Sequence, residues 1–213
     1  MKDQYTSDKY WSSIAEYFVV KDEKSLTISS KYIGANEKST FTFSYADPKH
    51  IKITGVSSNF EATGDFDFNG GKFKYNGIEY TITEIGSDVF KISGFGWYFK
   101  NCNLTIPSTI KIIGSCAFWD NSRIWGFSSK EIIGIYFNEG IEYIGPSAFW
   151  TCNDLENSQL VLPNSIKYIG SAAFKYLTPL KKIDLSALDH VIDLDQSPLD
   201  IDGSLHNHWI KTI

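Results

Sequence analysis

The chain is poor in the residues that would mark several common protein classes. Of its 213 residues, six are proline, three are cysteine and one is methionine. Few prolines, 21% charged residues and 15% aromatics exclude a chain that is disordered throughout. No uninterrupted apolar run reaches the length of a membrane-spanning helix. No Lys/Arg block or basic stripe is present, and a net charge of −5 points away from a nucleic-acid partner. The cysteines, Cys102, Cys116 and Cys152, leave one over in any pairing scheme, and no Cys-x-x-Cys pair offers a zinc site. The opening Met1-Lys2-Asp3-Gln4-Tyr5 leads into no apolar signal core. Either the protein stays inside the cell, or a leader has been removed from the sequence in hand.

Signatures of catalysis are missing too. There is no Gly-x-Ser-x-Gly elbow, phosphate-binding loop or dinucleotide fingerprint. Four histidines among many serines and acids form no ordered nucleophile–base pattern. The separation of a glycosidase carboxylate pair is a three-dimensional quantity that no sequence displays. The acidic run from Asp193 to Asp202 fails the calcium-loop pattern, with Pro198 where glycine is needed and Ser204 where a bidentate glutamate is needed. His206 and His208, with His190 the nearest other histidine, lack a third metal ligand. We expect no catalytic residue, no metal and no cofactor.

What the chain has is repetition. The pentad Ile-x-x-Ile-Gly occurs at Ile82–Gly86, Ile110–Gly114, Ile141–Gly145 and Ile166–Gly170. Each copy is followed by a small or β-branched residue and phenylalanine: Val89-Phe90, Ala117-Phe118, Ala148-Phe149 and Ala173-Phe174. The pentad glycines are 28, 31 and 25 residues apart, the period of a solenoid in which one short unit stacks on the next. The pentad is expected to follow a turn-like or irregular strand path with both isoleucines inward, its glycine permitting a bend that a Cβ would obstruct and taking positive φ. Phe90, Phe118, Phe149 and Phe174 would then form an internal ladder.

Between the pentads lie short alternating segments, Leu104–Ile106, Ile135–Phe137, Leu160–Leu162 and Ile183–Leu185. They read as very short strands with their first and third residues inward. Pro107 and Pro163 fit strand ends, because proline has no N–H for a further ladder bond. The alternation leaves Thr105, Tyr136, Val161 and Asp184 on the outer face as a candidate binding stripe. Tyr136 is the best anchor, combining large contact area with a polar tip. Trp119 and Trp150 follow the ladder phenylalanine in two adjacent repeats, where they either pack between repeats or touch a ligand. Trp97 and Trp125 lie in longer connections and either carry recognition or anchor those loops.

These units resemble the BspA-like, or Treponema pallidum type, leucine-rich repeat. Ile106-Pro107, Ile110, Ile113-Gly114 and Ala117-Phe118 match its pattern, as do Leu162-Pro163, Ile166, Ile169-Gly170 and Ala173-Phe174. Ala148-Phe149-Trp150-Thr151-Cys152-Asn153-Asp154-Leu155 matches the middle and end of the unit. The departures are two insertions, Cys116 before rather than after the Ala-Phe pair, and a last unit that dissolves after Leu185. The resemblance implies a β-rich α/β fold, a right-handed leucine-rich-repeat solenoid with short parallel strands and an N-terminal cap. It also implies reduced cysteines that fill the core. For function it implies a secreted or surface-displayed microbial protein that binds host or matrix proteins. A cytoplasmic or periplasmic scaffold and a carbohydrate-binding module are the alternatives; a flat, exposed tryptophan row would favour the last.

Residues 1–65 fall outside the repeat and read as a cap or small β-rich module. A short helix is expected from Trp11 to Phe18, then strands at Ser25–Ile28, Phe41–Tyr45 and Ile51–Gly55. Ile33-Gly34 echoes the pentad by coincidence, since no phenylalanine follows. Residues 66–186 are the repeat region, with hairpin turns signalled by Asn69-Gly70-Gly71 and Asn76-Gly77. Residues 187–213 read as a degraded last repeat or a C-terminal cap.

Overall fold

The computed structural model describes residues 24–91, 98–119, 131–152, 155–156, 159–177, 180 and 182–194. The expected helix at Trp11–Phe18, Trp97, Trp125, His206 and His208 lie outside the described residues. Among those described, the only helical segments are two four-residue 3-10 turns, Ser30–Ile33 and Phe68–Gly71. The rest is strand and turn.

The chain enters through an antiparallel meander of β1 (Lys24–Ser29), β2 (Thr40–Asp47) and β3 (His50–Val56). Alternation decides its faces: Phe41 and Phe43 are buried, while Thr42 points away and its hydroxyl lies 3.1 Å from that of Thr27. The Asp47 carboxylate accepts a bond from the Lys49 N–H at 2.9 Å and closes the turn at Pro48. β3 then pairs in parallel with β6 (Ile78–Ile85), aligning Ile51 with Ile82 and Ile53 with Ile85. One continuous core cluster extends from Ile28 to Ile183.

β4 (Ala62–Phe66) runs parallel to β7 (Phe99–Ile106), crossing the 65/66 boundary expected from sequence. The two glycine signals that follow have different outcomes. Asn76 and Gly77, with φ of 48° and 81°, form the two-residue turn between β5 (Lys72–Tyr75) and β6. Asn69-Gly70-Gly71 makes no hairpin; it belongs to a 3-10 turn, because β4 is already committed to β7.

From β6 onward the chain builds parallel ladders, one repeat against the next. One sheet pairs β4, β7 and β9 (Ile132–Phe137), and β11 (Gln159–Val161) pairs with β13 (Lys182–Asp184). A second sheet continues from β6 through β8 (Ile112–Ile113), β10 (Tyr143–Ile144), β12 (Tyr168–Ile169) and β14 (Asp193–Leu194). The last three pentads therefore carry two-residue strands, and the first falls at the end of the eight-residue β6. β14 extends this sheet beyond Leu185. A third set of bonds joins the Ala-Phe turns: Phe90 N–H to Ala117 O, Phe118 N–H to Ala148 O and Phe149 N–H to Ala173 O, each 2.8 Å.

The pentad isoleucines Ile82, Ile85, Ile110, Ile113, Ile141, Ile144, Ile166 and Ile169 are fully buried. Phe90, Phe118, Phe149 and Phe174 stack with centroid separations of 5.1, 5.0 and 5.6 Å and interplanar angles of 12°, 5° and 8°. The pentad glycines leave no room for a Cβ, as expected, but the positive φ expected of them is not there. None of Gly86, Gly114, Gly145 and Gly170 has positive φ; the left-handed residues lie two positions later, at Asp88, Cys116, Ser147 and Ala172. A Cβ on Gly114 would lie 2.5 Å from Ser87 N, on Gly145 2.7 Å from Ser115 N, and on Gly170 2.4 Å from Pro146 N. Close backbone approach between repeats excludes any side chain there.

Cys102 and Cys152 are buried thiols and Cys116 is half-buried; none of the three is in a disulfide. Burial, with Asp65 nearby, pushes the Cys102 thiol up to about 12. The Cys152 thiol lies 3.4 Å from the Phe118 carbonyl oxygen, to which it donates.

Candidate functional surface

The strands of the β4–β7–β9 sheet and of the separate β11–β13 pair sort their side chains by parity. Leu104, Ile106, Ile135, Leu160, Leu162 and Ile183 are buried, and Phe137 and Leu185 pack half-buried against the core. The alternate positions face outward. Thr105 is aligned with Tyr136 on β7 and β9, and Val161 with Asp184 on β11 and β13. Among the described residues four large apolar side chains are exposed: Ile78, Tyr136 (49%), Val161 (53%) and Val191. Tyr136 and Val161 hold the same outward position in successive repeats, on β9 and β11, whose strands touch.

Local contacts fix both flanks of that row. The Asp184 carboxylate accepts bonds from Ser186 N–H at 2.9 Å, Gln159 Nε2 at 2.8 Å and Lys182 Nζ at 3.0 Å. Bonds from Ser186, and then Lys182, hold its carboxyl down at about 2, so it is a fixed anion paired with a cation. On the other flank Asp65, Asn103 and Gly134 align across β4, β7 and β9. Asn103 Nδ2 donates to Asp65 Oδ1 at 2.9 Å.

Gly134 faces outward yet is buried, because the Tyr136 ring lies back over it. A Cβ at Gly134 would sit 2.8 Å from Tyr136 Cε2, 3.0 Å from its hydroxyl oxygen and 2.6 Å from Asn103 Oδ1. Sequence reading missed Gly134, Asn103 and Asp65. The available signal was glycine where an alternating strand calls for an outward side chain.

The tryptophans form a separate edge. Trp119 and Trp150 meet edge to face, with centroids 4.2 Å apart at 89°, and Tyr176 lies 5.8 Å from Trp150. Both tryptophans are half-buried. Lys91 Nζ lies 4.4 Å from the Trp119 ring centre and pairs with Asp88 at 3.1 Å. This is close packing between repeats, and it offers no coplanar platform.

A third row, also unread in the sequence, lies on the outer side of the pentad sheet: Lys52, Glu84, Ile112, Tyr143, Tyr168 and Asp193. Tyr143 and Tyr168 stack at 4.5 Å and 5°, with only 6% and 8% of their surface exposed. Apolar residues at the third pentad position were the signal. Among the described residues, no three His, Cys, Asp or Glu side chains gather into a metal-ligand group, and no helix is long and apolar enough to cross a membrane.

Residues 96–197 match the model of the BspA type leucine rich repeat region, in six copies. The structure is similar to that of the pneumococcal vaccine antigen PcpA, with 20% identity, a TM-score of 0.53, and coverage of 80% of this chain and 40% of that one. It also aligns with a leucine rich cell surface protein from Faecalibacterium prausnitzii A2-165 at 17% identity and a TM-score of 0.48, covering 70% of this chain and 42% of that one. A leucine-rich repeat protein from Bacteroides ovatus ATCC 8483 aligns at 17% identity and 0.46, covering 68% and 39%. The chain thus spans about two fifths of the length of each. A search of curated proteins returns no match.

Proposed function

Given that the chain belongs to the BspA-type leucine-rich repeat proteins through residues 96–197, we propose that it is a non-catalytic protein-binding module, wound as a right-handed solenoid. In this reading residues 1–65 cap the array, residues 66–186 form it, and residues 187–213 hold a degraded last repeat or a second cap. The binding face is the row Thr105, Tyr136, Val161 and Asp184. The observation that carries the assignment is the exposure of Tyr136 on β9 and Val161 on β11, at the same outward position of successive repeats whose strands touch. An exposed aromatic beside an aliphatic, rimmed by polar groups, is the usual make-up of a protein-binding anchor. The family relationship supports display at a microbial surface and adhesion to a host or matrix protein.

A glycan-binding reading would need exposed, coplanar tryptophans. The edge-to-face pair of Trp119 and Trp150 does not supply them.

Equilibrium binding to a panel of matrix proteins and glycans tests the proposal, with Tyr136→Ala and Val161→Asp alongside wild type. Saturable binding of one protein, lost in both folded variants, is the expected result. Binding unchanged by either substitution removes the row from the site. Absence of binding across the panel favours a scaffold role for the same surface.

A further inference from the structure

We propose that the outward row recognises a cationic side chain of its protein partner, an arginine laid against the Tyr136 ring. Gly134, Asn103 and Asp65 are the residues that position that ring and its rim. The proposal rests on the assignment of this row as the binding face and adds the chemistry of what it takes.

Gly134 gives Tyr136 its posture. Lacking a Cβ, it lets the ring lie along the strand, with Cε2 and the hydroxyl oxygen within 3.0 Å of where a Cβ would stand. The glycine is buried beneath the ring, while Tyr136 keeps 49% of its surface exposed. A tyrosine held against the backbone offers its other face outward.

Two acceptors stand beside the ring. The Asn103 Nδ2–H donates to Asp65 Oδ1, which leaves the Asn103 Oδ1 beside Gly134, at the edge of the Tyr136 ring. Asp65 is exposed and adds a full negative charge one strand further out. A π face, an amide oxygen and a carboxylate thus lie along three aligned strands. Among the described residues of β4, β7, β9, β11 and β13 the basic groups are Lys182, engaged by Asp184 at 3.0 Å, and Lys100, opposite Thr63 and three residues before Asn103 on β7.

A ligand that satisfies this set must donate hydrogen bonds, carry positive charge and present a flat face. A guanidinium meets all three conditions; an ammonium meets only the first two. Val161, exposed in the same row, would cover the aliphatic stem of such a side chain.

The test uses short, blocked peptides of alternating valine and threonine that differ at one central position: arginine, lysine, citrulline or glutamate. Each is titrated into the whole chain while the Tyr136 ring signals are followed by NMR, assigned through Tyr136→Phe. The arginine peptide should move the ring signals saturably, with the lysine peptide weaker by about threefold and citrulline and glutamate silent. Asp65→Asn should weaken the arginine peptide by about threefold. Gly134→Ala should abolish the shift while leaving the melting temperature in place. Equal responses to arginine and citrulline, or none to any peptide, overturn the cationic ligand. An unchanged response in Gly134→Ala overturns the positioning role. Neither outcome touches the matrix-protein panel, where loss of binding in Tyr136→Ala still decides the face itself.

Discussion

Gly114 and Gly134 are both buried and both lie outside the left-handed region, yet they do opposite jobs. A side chain at Gly114 would meet the backbone of the preceding repeat, at Ser87 N and at Gly86 C, 2.5 and 2.7 Å away. The atoms nearest a side chain at Gly134 would be those of the Asn103 and Tyr136 side chains. Backbone in a ladder cannot give way, whereas two surface side chains can swing aside. The first glycine fixes how close repeats stack, and the second shapes what the stack shows to the outside. The contrast separates an inner column, where every repeat obeys one rule, from an outer row, where each repeat carries its own residue.

The comparison breaks most violently in the phenylalanine stack. Phe149 touches Phe118 and Phe174 and is fully buried, so Phe149→Ala should cost about 3–5 kcal/mol. That is a large share of ordinary domain stability, and chemical denaturation will read it. Gly114→Ala should follow, at about 1–3 kcal/mol from overpacking. Gly134→Ala should stay within about 0.5 kcal/mol, as a substitution facing side chains that can move. If the two alanines cost the same, the distinction between column and row fails.

A smaller effect belongs to the last described repeat. His190 Nε2 lies 2.7 Å from Ile166 O, and Nδ1 lies 3.1 Å from Asp189 Oδ1. The bond to Asp189, then that to Ile166, raises the histidine pKa, while bonds from His190 and Asn164 lower that of Asp189. The stability His190 lends is therefore full below its unfolded value near 6.5 and is lost as pH rises through the higher folded value. That of Asp189 is present above 3.8 and is lost as pH falls through its lower folded value. Hydrogen exchange of residues 182–194 should speed up as pH climbs past neutrality beyond its intrinsic rise, and His190→Gln should remove the excess. Least perturbing is thiol labelling of the native chain: half-buried Cys116 should react before buried Cys102 and Cys152.

The inner column was legible because its rule repeats in identity: the same isoleucines, glycine and phenylalanine recur in step. That a Cβ would be obstructive at the glycine was legible; that the obstacle is the neighbouring repeat's backbone was not, since that contact is a property of stacking. Nor was the left-handed position, because Asp88, Cys116, Ser147 and Ala172 share a conformation and no chemistry. Two-residue strands such as Tyr143–Ile144 are too short for alternation to announce them. The parallel pairing of β3 with β6 and of β4 with β7 joins segments far apart in the chain, which no local pattern records. Alternation did place Thr105, Tyr136, Val161 and Asp184 outward. It could not say that Tyr136 lies flat, because that depends on what Gly134 lacks.

Hydroxyl-radical footprinting of the chain with the partner that the binding panel identifies tests the central claim most directly. Free, Tyr136 and Val161 should oxidise readily. Bound, both should be protected, while labelling at Trp119 and Trp150 stays unchanged. Protection of the two tryptophans with Tyr136 still fully reactive would contradict the account and move recognition to the edge of the repeats.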